Sequence, residues 1–142
     1  MTPFKPRLAR SSGCSRTGGP TRIKDVSLVG LSVRDQEAAL DFWVNKVGCE
    51  VRLDSTIDTY RWPEVAPPGA EVRLALTKAT EEDEIHVGRL AGFALEPDDI
   101  DATYGQLPSH GVEFTEAPFR AAMGNQAQCV DPDGHIFAIV QP

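Results

Sequence analysis

Residues 26–33 read V-S-L-V-G-L-S-V, an apolar run of strand type. Asp35 then stands where a helix N-cap belongs. Ala38, Ala39, Phe42, Trp43 and Val47 recur at helical spacing as far as Gly48, a residue suited to a C-terminal cap. Residues 49–57, 60–65 and 71–77 predict three strands, the last two joined by Ala66-Pro67-Pro68-Gly69, a strong turn signal. The same order then returns. Residues 89–95 predict a strand, and Asp98-Asp99 opens a helix carrying Ile100, Thr103, Tyr104 and Leu107 before Gly111. Strands follow at 112–115, 126–130 and 136–140, the last two separated by Asp131-Pro132-Asp133-Gly134, which suits a type I turn.

The repetition is internal to the chain. A shift of 63 residues lays Asp35 on Asp98, Ala39 on Ala102, Gly48 on Gly111 and Glu50 on Glu113; a shift of 65 lays Pro67 on Pro132 and Gly69 on Gly134. These identities fall at caps and turns, where backbone geometry restricts residue choice. Two copies of one strand-helix-strand-strand-strand unit are therefore expected, residues 23–78 and 89–142, with 79–88 as an acidic, solvated linker containing Thr80-Glu81-Glu82-Asp83-Glu84. Each unit is too small to bury its sheet well alone, so the two are expected to pack as one domain.

Composition narrows the partners. The net charge is −7, and the five cations Lys5, Arg7, Arg10, Arg16 and Arg22 leave −12 for the rest of the chain. An acidic domain is poorly suited to gripping nucleic-acid phosphates, and no apolar run approaches the roughly 20 residues of a membrane span. Residues 1–22 are acid-free and rich in Pro, Gly, Ser and Arg, which predicts a disordered basic tail. A transit-like peptide is the alternative, although no apolar face is present; without a secretory signal the protein is expected in the cytoplasm. Cys14, Cys49 and Cys129 lack metal-ligand spacing and are expected as free thiols. His86, His110 and His135 also lack ligand spacing and are expected in structural or solvated roles.

Three stretches carry a resemblance. L-S-V-R-D-Q-E-A-A-L-D-F-W-V-N-K-V-G-C-E-V, D-D-I-D-A-T-Y-G-Q-L-P-S-H-G-V-E-F and D-P-D-G-H-I-F-A-I-V-Q-P resemble, in this order, the vicinal oxygen chelate superfamily. That superfamily contains glyoxalase I, extradiol dioxygenases, fosfomycin-resistance thiol transferases and bleomycin-resistance proteins. The resemblance implies an α+β fold of two βαβββ modules, a curled and mostly antiparallel sheet around a cleft with helices outside. It also implies a homodimer, in keeping with the edges an open sheet leaves uncovered. Metal-using members take His, Gln or Glu ligands from four cleft positions. Carried over one at a time, these positions are Leu28, Ala75, Gly92 and Ala138, none of which has a donor side chain. No cofactor is expected.

If those four face the cleft, strand alternation adds Gly30, Ser32, Arg73, Thr77, Ala94, Ile136 and Val140 to the same face. The other face receives Val29, Leu31, Val33, Leu74, Leu76, Phe93, Leu95, Phe137 and Ile139 as a helix-packed core. Trp62 and Tyr60, with Phe119, Arg120 and Met123, are candidate walls, while Trp43 is expected to pack helix on sheet. The ligand-binding set is thus Leu28, Trp62, Arg73, Ala75, Gly92, Met123 and Ala138. Arg73 is either the one cation of an apolar cleft or half of a surface ion pair. The expected function is binding of a small apolar or anionic ligand without metal. The alternative is a lyase or dioxygenase of the superfamily with a displaced metal site or a metal-free mechanism.

Overall fold

Two aspartates start the two helices. In the computed structural model, which describes residues 22–142, the Asp35 side chain accepts from the backbone N–H of Glu37 and Ala38, and Asp99 accepts from Asp101 and Ala102. Each carboxylate satisfies donors that the first turn leaves without intrahelical partners. The first helical run is α1 (Gln36–Leu40) continued by a π-helical segment (Asp41–Val47); the second is α2 (Ile100–Gln106) continued by a 3-10 turn (Leu107–His110). Gly48 and Gly111 end them with φ of 102° and 95°, the left-handed conformation that glycine adopts without strain.

The repeat is therefore offset by one residue at its helices. Twelve residues separate Asp35 from Gly48 and eleven separate Asp99 from Gly111, so Asp35 corresponds to Asp99, not to the expected Asp98. The extra residue is absorbed in the wide turn, where the Gly48 N–H reaches the Trp43 carbonyl five residues back at 3.2 Å.

Strands β1 (Leu28–Val33), β2 (Glu50–Ile57), β3 (Tyr60–Ala66) and β4 (Arg73–Lys78) form one sheet in the order β1-β4-β3-β2. Strands β5 (Leu90–Leu95), β6 (Glu113–Ala121), β7 (Gly124–Val130) and β8 (Ile136–Gln141) form a second in the order β5-β8-β7-β6. In each, the first strand is parallel to the fourth and the other pairs are antiparallel. The α+β class and the βαβββ modules are as expected, with the strands divided between two mixed sheets. Strand β6 runs well beyond the expected 112–115. Its register slips between Glu116 and Phe119, around Pro118, which cannot donate to a ladder, so the sequence period breaks there. The tail expected at 1–22 lies outside the described residues except for Arg22, as does Cys14.

One core joins the modules. Leu31, Val33, Leu74 and Leu76 of the first sheet and Phe137 and Ile139 of the second belong to a single buried cluster, with Val29, Phe93 and Leu95 packed against it. Strand alternation had placed all nine on this face. Trp43 lies at the centre, 1% exposed, with ring centroids 5.0 Å from Phe137, 5.3 Å from Phe42 and 6.5 Å from Phe93. It thereby links the first helix to the second sheet. Linker residues 79–88 contain a short 3-10 helix (Glu82–His86), and Arg34 Nε meets Glu84 at 3.1 Å. Both partners are about half exposed, so this pair adds little stability. Among the described residues, no helix is long and apolar enough to cross a membrane.

Candidate functional site

The first sheet holds Leu28, Trp62, Arg73 and Ala75 on one face. Leu28 is paired with Arg73 across the parallel β1–β4 ladder, and Ala75 is paired with Glu64 across β3–β4. Trp62 lies two residues before Glu64 on β3, hence on the same side. The second sheet carries Gly92 on β5, exposed and inside a register shift, and Ala138 on β8, paired with Ala94 and Gln128. Met123 sits in the turn between β6 and β7 and is largely exposed. Phe119 is paired with Gln126 on that hairpin.

A side chain the sequence reading passed over organises the first face. Glu64 is 3% exposed, and its Oε2 accepts the Trp62 indole N–H at 2.7 Å. Arg73 Nη1 stands 3.0 Å from the other oxygen, Oε1, an ion-pair contact without hydrogen-bond alignment. Arg73 is thus paired, as one of its two expected roles required, yet its partner is buried. A carboxylate taken out of water is costly unless a counter-charge and a donor accompany it, and Arg73 and Trp62 supply both. The triad needs the register that sets Glu64 opposite Ala75, since Ala75 has no bulk to displace the carboxylate. Tyr60, 42% exposed, follows the same alternation, and its ring lies 6.3 Å from Trp62. The face therefore offers two aromatic rings beside a guanidinium held in place.

In the second module Gln128 takes the position that Glu64 takes in the first, opposite Ala138 as Glu64 is opposite Ala75. It is half-buried and neutral.

The remaining reactive groups are held elsewhere. Cys49 and Cys129 are buried, and burial pushes their thiols up from 9.0 to about 11 and about 12. The folded chain thus binds these protons more tightly than the unfolded chain. The stability that these two thiols contribute is fully present below about pH 9 and is lost as the pH rises towards their raised values. Urea unfolding midpoints are expected to fall between pH 8 and pH 10, and less in Cys129→Ala than in the wild type; equal falls would contradict this.

His135 is buried, and its Nδ1 lies 2.8 Å from Asp131 Oδ2, while Asp131 Oδ1 accepts the backbone N–H of Asp133 and of His135. Asp131, Asp133 and His135 bring possible ligand atoms within 4.8 Å of one another, but the Asp131 carboxylate is spent on the turn and on the imidazole. A pocket of about 260 Å³ lies on the core side of the sheets, between Trp43, Val47 and Cys49 of the first module and Leu95, Thr103 and Gln106 of the second. None of the expected ligand residues lines it.

Residues 25–139 match the family described as Glyoxalase/Bleomycin resistance protein/Dioxygenase superfamily. The chain belongs to this superfamily. A solved member, TnmS3, an antibiotic-binding protein from Streptomyces sp. CB03234, is 35% identical with a TM-score of 0.77; the match covers 86% of this chain and 98% of that one. A second, from Sphaerobacter thermophilus, is 36% identical over 84% of this chain and 98% of its own, also with a TM-score of 0.77. YetH of Bacillus subtilis, an uncharacterized protein, is 35% identical over 123 residues, 82% of this chain and 98% of its own. The superfamily's fold accounts for the two modules. Leu28, Ala75, Gly92 and Ala138 are three hydrocarbon side chains and a glycine, none of which offers a side-chain donor to a divalent metal.

Proposed function

We propose that this protein binds a small aromatic ligand, without metal, on the faces that carry Trp62, Arg73 and Ala75 in the first module and Gly92 and Ala138 in the second, as a cytoplasmic homodimer. The observation that carries this reading is the buried Glu64 carboxylate that holds the half-buried Trp62 and Arg73 side chains beside Ala75. Where a metal-using relative would spend a ligand, this chain has a small apolar residue and, next to it, a fixed guanidinium and an indole. Sites of this composition take ligands by apolar contact and a few placed polar groups. The likeness to an antibiotic-binding protein supports the same reading. A second copy is supported by the apolar side chains left on these strands: Leu53 and Ile57 on β2, Leu90 on β5 and Phe119 on β6, between 39% and 67% exposed.

Metal analysis of the purified full chain tests the first part. Less than stoichiometric zinc, iron or nickel is expected, with a melting temperature indifferent to chelator. A stoichiometric ion on the cleft faces would overturn the reading. One at Asp131, Asp133 and His135 would favour the alternative of an enzyme with a displaced metal. Solution mass at micromolar concentration tests the dimer, and a monomer would reject it.

A further inference from the structure

We infer that Glu64 sets the charge preference of this site, so that it accepts uncharged aromatic ligands and rejects anions; the inference rests on the ligand-binding reading above. Arg73 by itself would attract a carboxylate or sulfonate. Its side chain, however, is 35% exposed and its guanidinium lies 3.0 Å from the carboxylate of a glutamate side chain that is 5% exposed, so the pair as a unit carries no net charge. An anion approaching the open side of Arg73 also approaches Glu64, which is screened from it by little water. It would have to give up its own hydration for a cation already neutralised.

The neighbouring charges work in the same direction. Strand pairing sets Glu113 opposite Val130 and Glu116 opposite Gln128, and Val130 and Gln128 are in turn opposite Ile136 and Ala138. These two glutamates therefore stand on strand positions of the second module's corresponding face. Among the described strand residues that these pairings put on the two faces, the acids are Glu50, opposite Ala66, with Glu64, Glu113 and Glu116; Arg73 is paired with Glu64, and Arg52, in the bulge beside Glu50, meets that glutamate at 2.7 Å. The polar position equivalent to Glu64 is the neutral Gln128. Uncharged rings meet no such penalty: Tyr60 and Trp62 offer stacking surface, and Arg73, fixed by Glu64, offers a guanidinium plane and free donors.

The test uses two fluorescent probes that differ by one sulfonate, N-phenylnaphthylamine and anilinonaphthalene sulfonate, titrated into the full chain. The neutral probe is expected to bind the wild type about tenfold or more tightly than the anionic one, a difference of about 1.4 kcal/mol or more. Glu64→Gln frees the charge of Arg73 and is expected to erase or reverse that ratio. The double variant Glu64→Gln/Arg73→Gln removes both charges and is expected to restore it. Trp62→Ala is expected to weaken the neutral probe, which locates it on this face.

Equal or tighter binding of the sulfonate by the wild type would overturn the inference and leave the ligand-binding reading standing. So would an unchanged ratio in a folded Glu64→Gln, or a neutral probe indifferent to Trp62→Ala. Failure of both probes to bind would overturn the reading and the inference together. The wild-type ratio requires no variant, and thermal unfolding establishes which variants are folded.

Discussion

Replacing Trp43 by alanine is expected to cost about 3–5 kcal/mol of folding stability, the range for deleting a large buried aromatic ring. Trp43 is 1% exposed and packs against Phe42 of its own helix and against Phe93 and Phe137 of the second sheet. Its loss opens a cavity where the two modules meet, a place where neither can close in without moving a sheet. The indole Nε1 is buried without a hydrogen-bond partner, so the cost is one of packing and not of a broken polar contact. Trp43→Phe keeps most of the ring volume and removes that unpartnered donor, and is expected to cost about half as much or less. Trp62→Ala, on the other face, is expected to weaken ligand binding and to cost less stability than Trp43→Ala, although Glu64 Oε2 loses its donor. Urea titrations of the three variants check the order; a loss below about 1 kcal/mol for Trp43→Ala would mean that the modules do not depend on a common core.

Asp131→Ala is expected to cost about 3 kcal/mol, as breaking a buried pair by removing one partner does. One oxygen of Asp131 accepts two backbone N–H groups of the β7–β8 turn and the other meets His135 Nδ1, with both side chains almost wholly buried. Alanine would leave the imidazole and the turn donors without acceptors in a place water does not reach. Asp133, two residues on, makes only a 3.2 Å contact with the Arg34 backbone N–H and a distant ion pair, so Asp133→Ala is expected to cost less than about 1 kcal/mol. Equal losses in the two variants would place the strength of this turn in its acidic charge and not in the Asp131–His135 arrangement.

Much of the architecture could be read along the chain because its signals are short-range. An aspartate caps a helix through amides two and three residues away, and a glycine ends one through its own φ, so Asp35, Gly48 and Gly111 mark their boundaries without reference to anything distant. Strand alternation is equally local, and it assigned Leu31, Val33, Leu74, Leu76, Phe137 and Ile139 to the core face. The same local reading misaligned Asp98 with Asp35, because a one-residue difference between the helices is hidden in a π turn that leaves no mark in the spacing of apolar residues.

The candidate site was legible only in part. Trp62 and Arg73 were chosen as an aromatic and a cation in strands, yet nothing near either of them in sequence says that they share a partner. Glu64 alternates with Trp62, a signal that puts both on one side of β3. Which side that is, and that Arg73 is within 3.0 Å, depends on how β3 aligns with β4 across the turn at Pro67 and Pro68. A slip of one residue would turn Glu64 to the core face and part it from Arg73. Register between strands is decided by the packing of the whole sheet. The buried carboxylate, the cation it neutralises and the union of two sheets around Trp43 therefore belong to the tertiary structure, and the elements that carry them belong to the sequence.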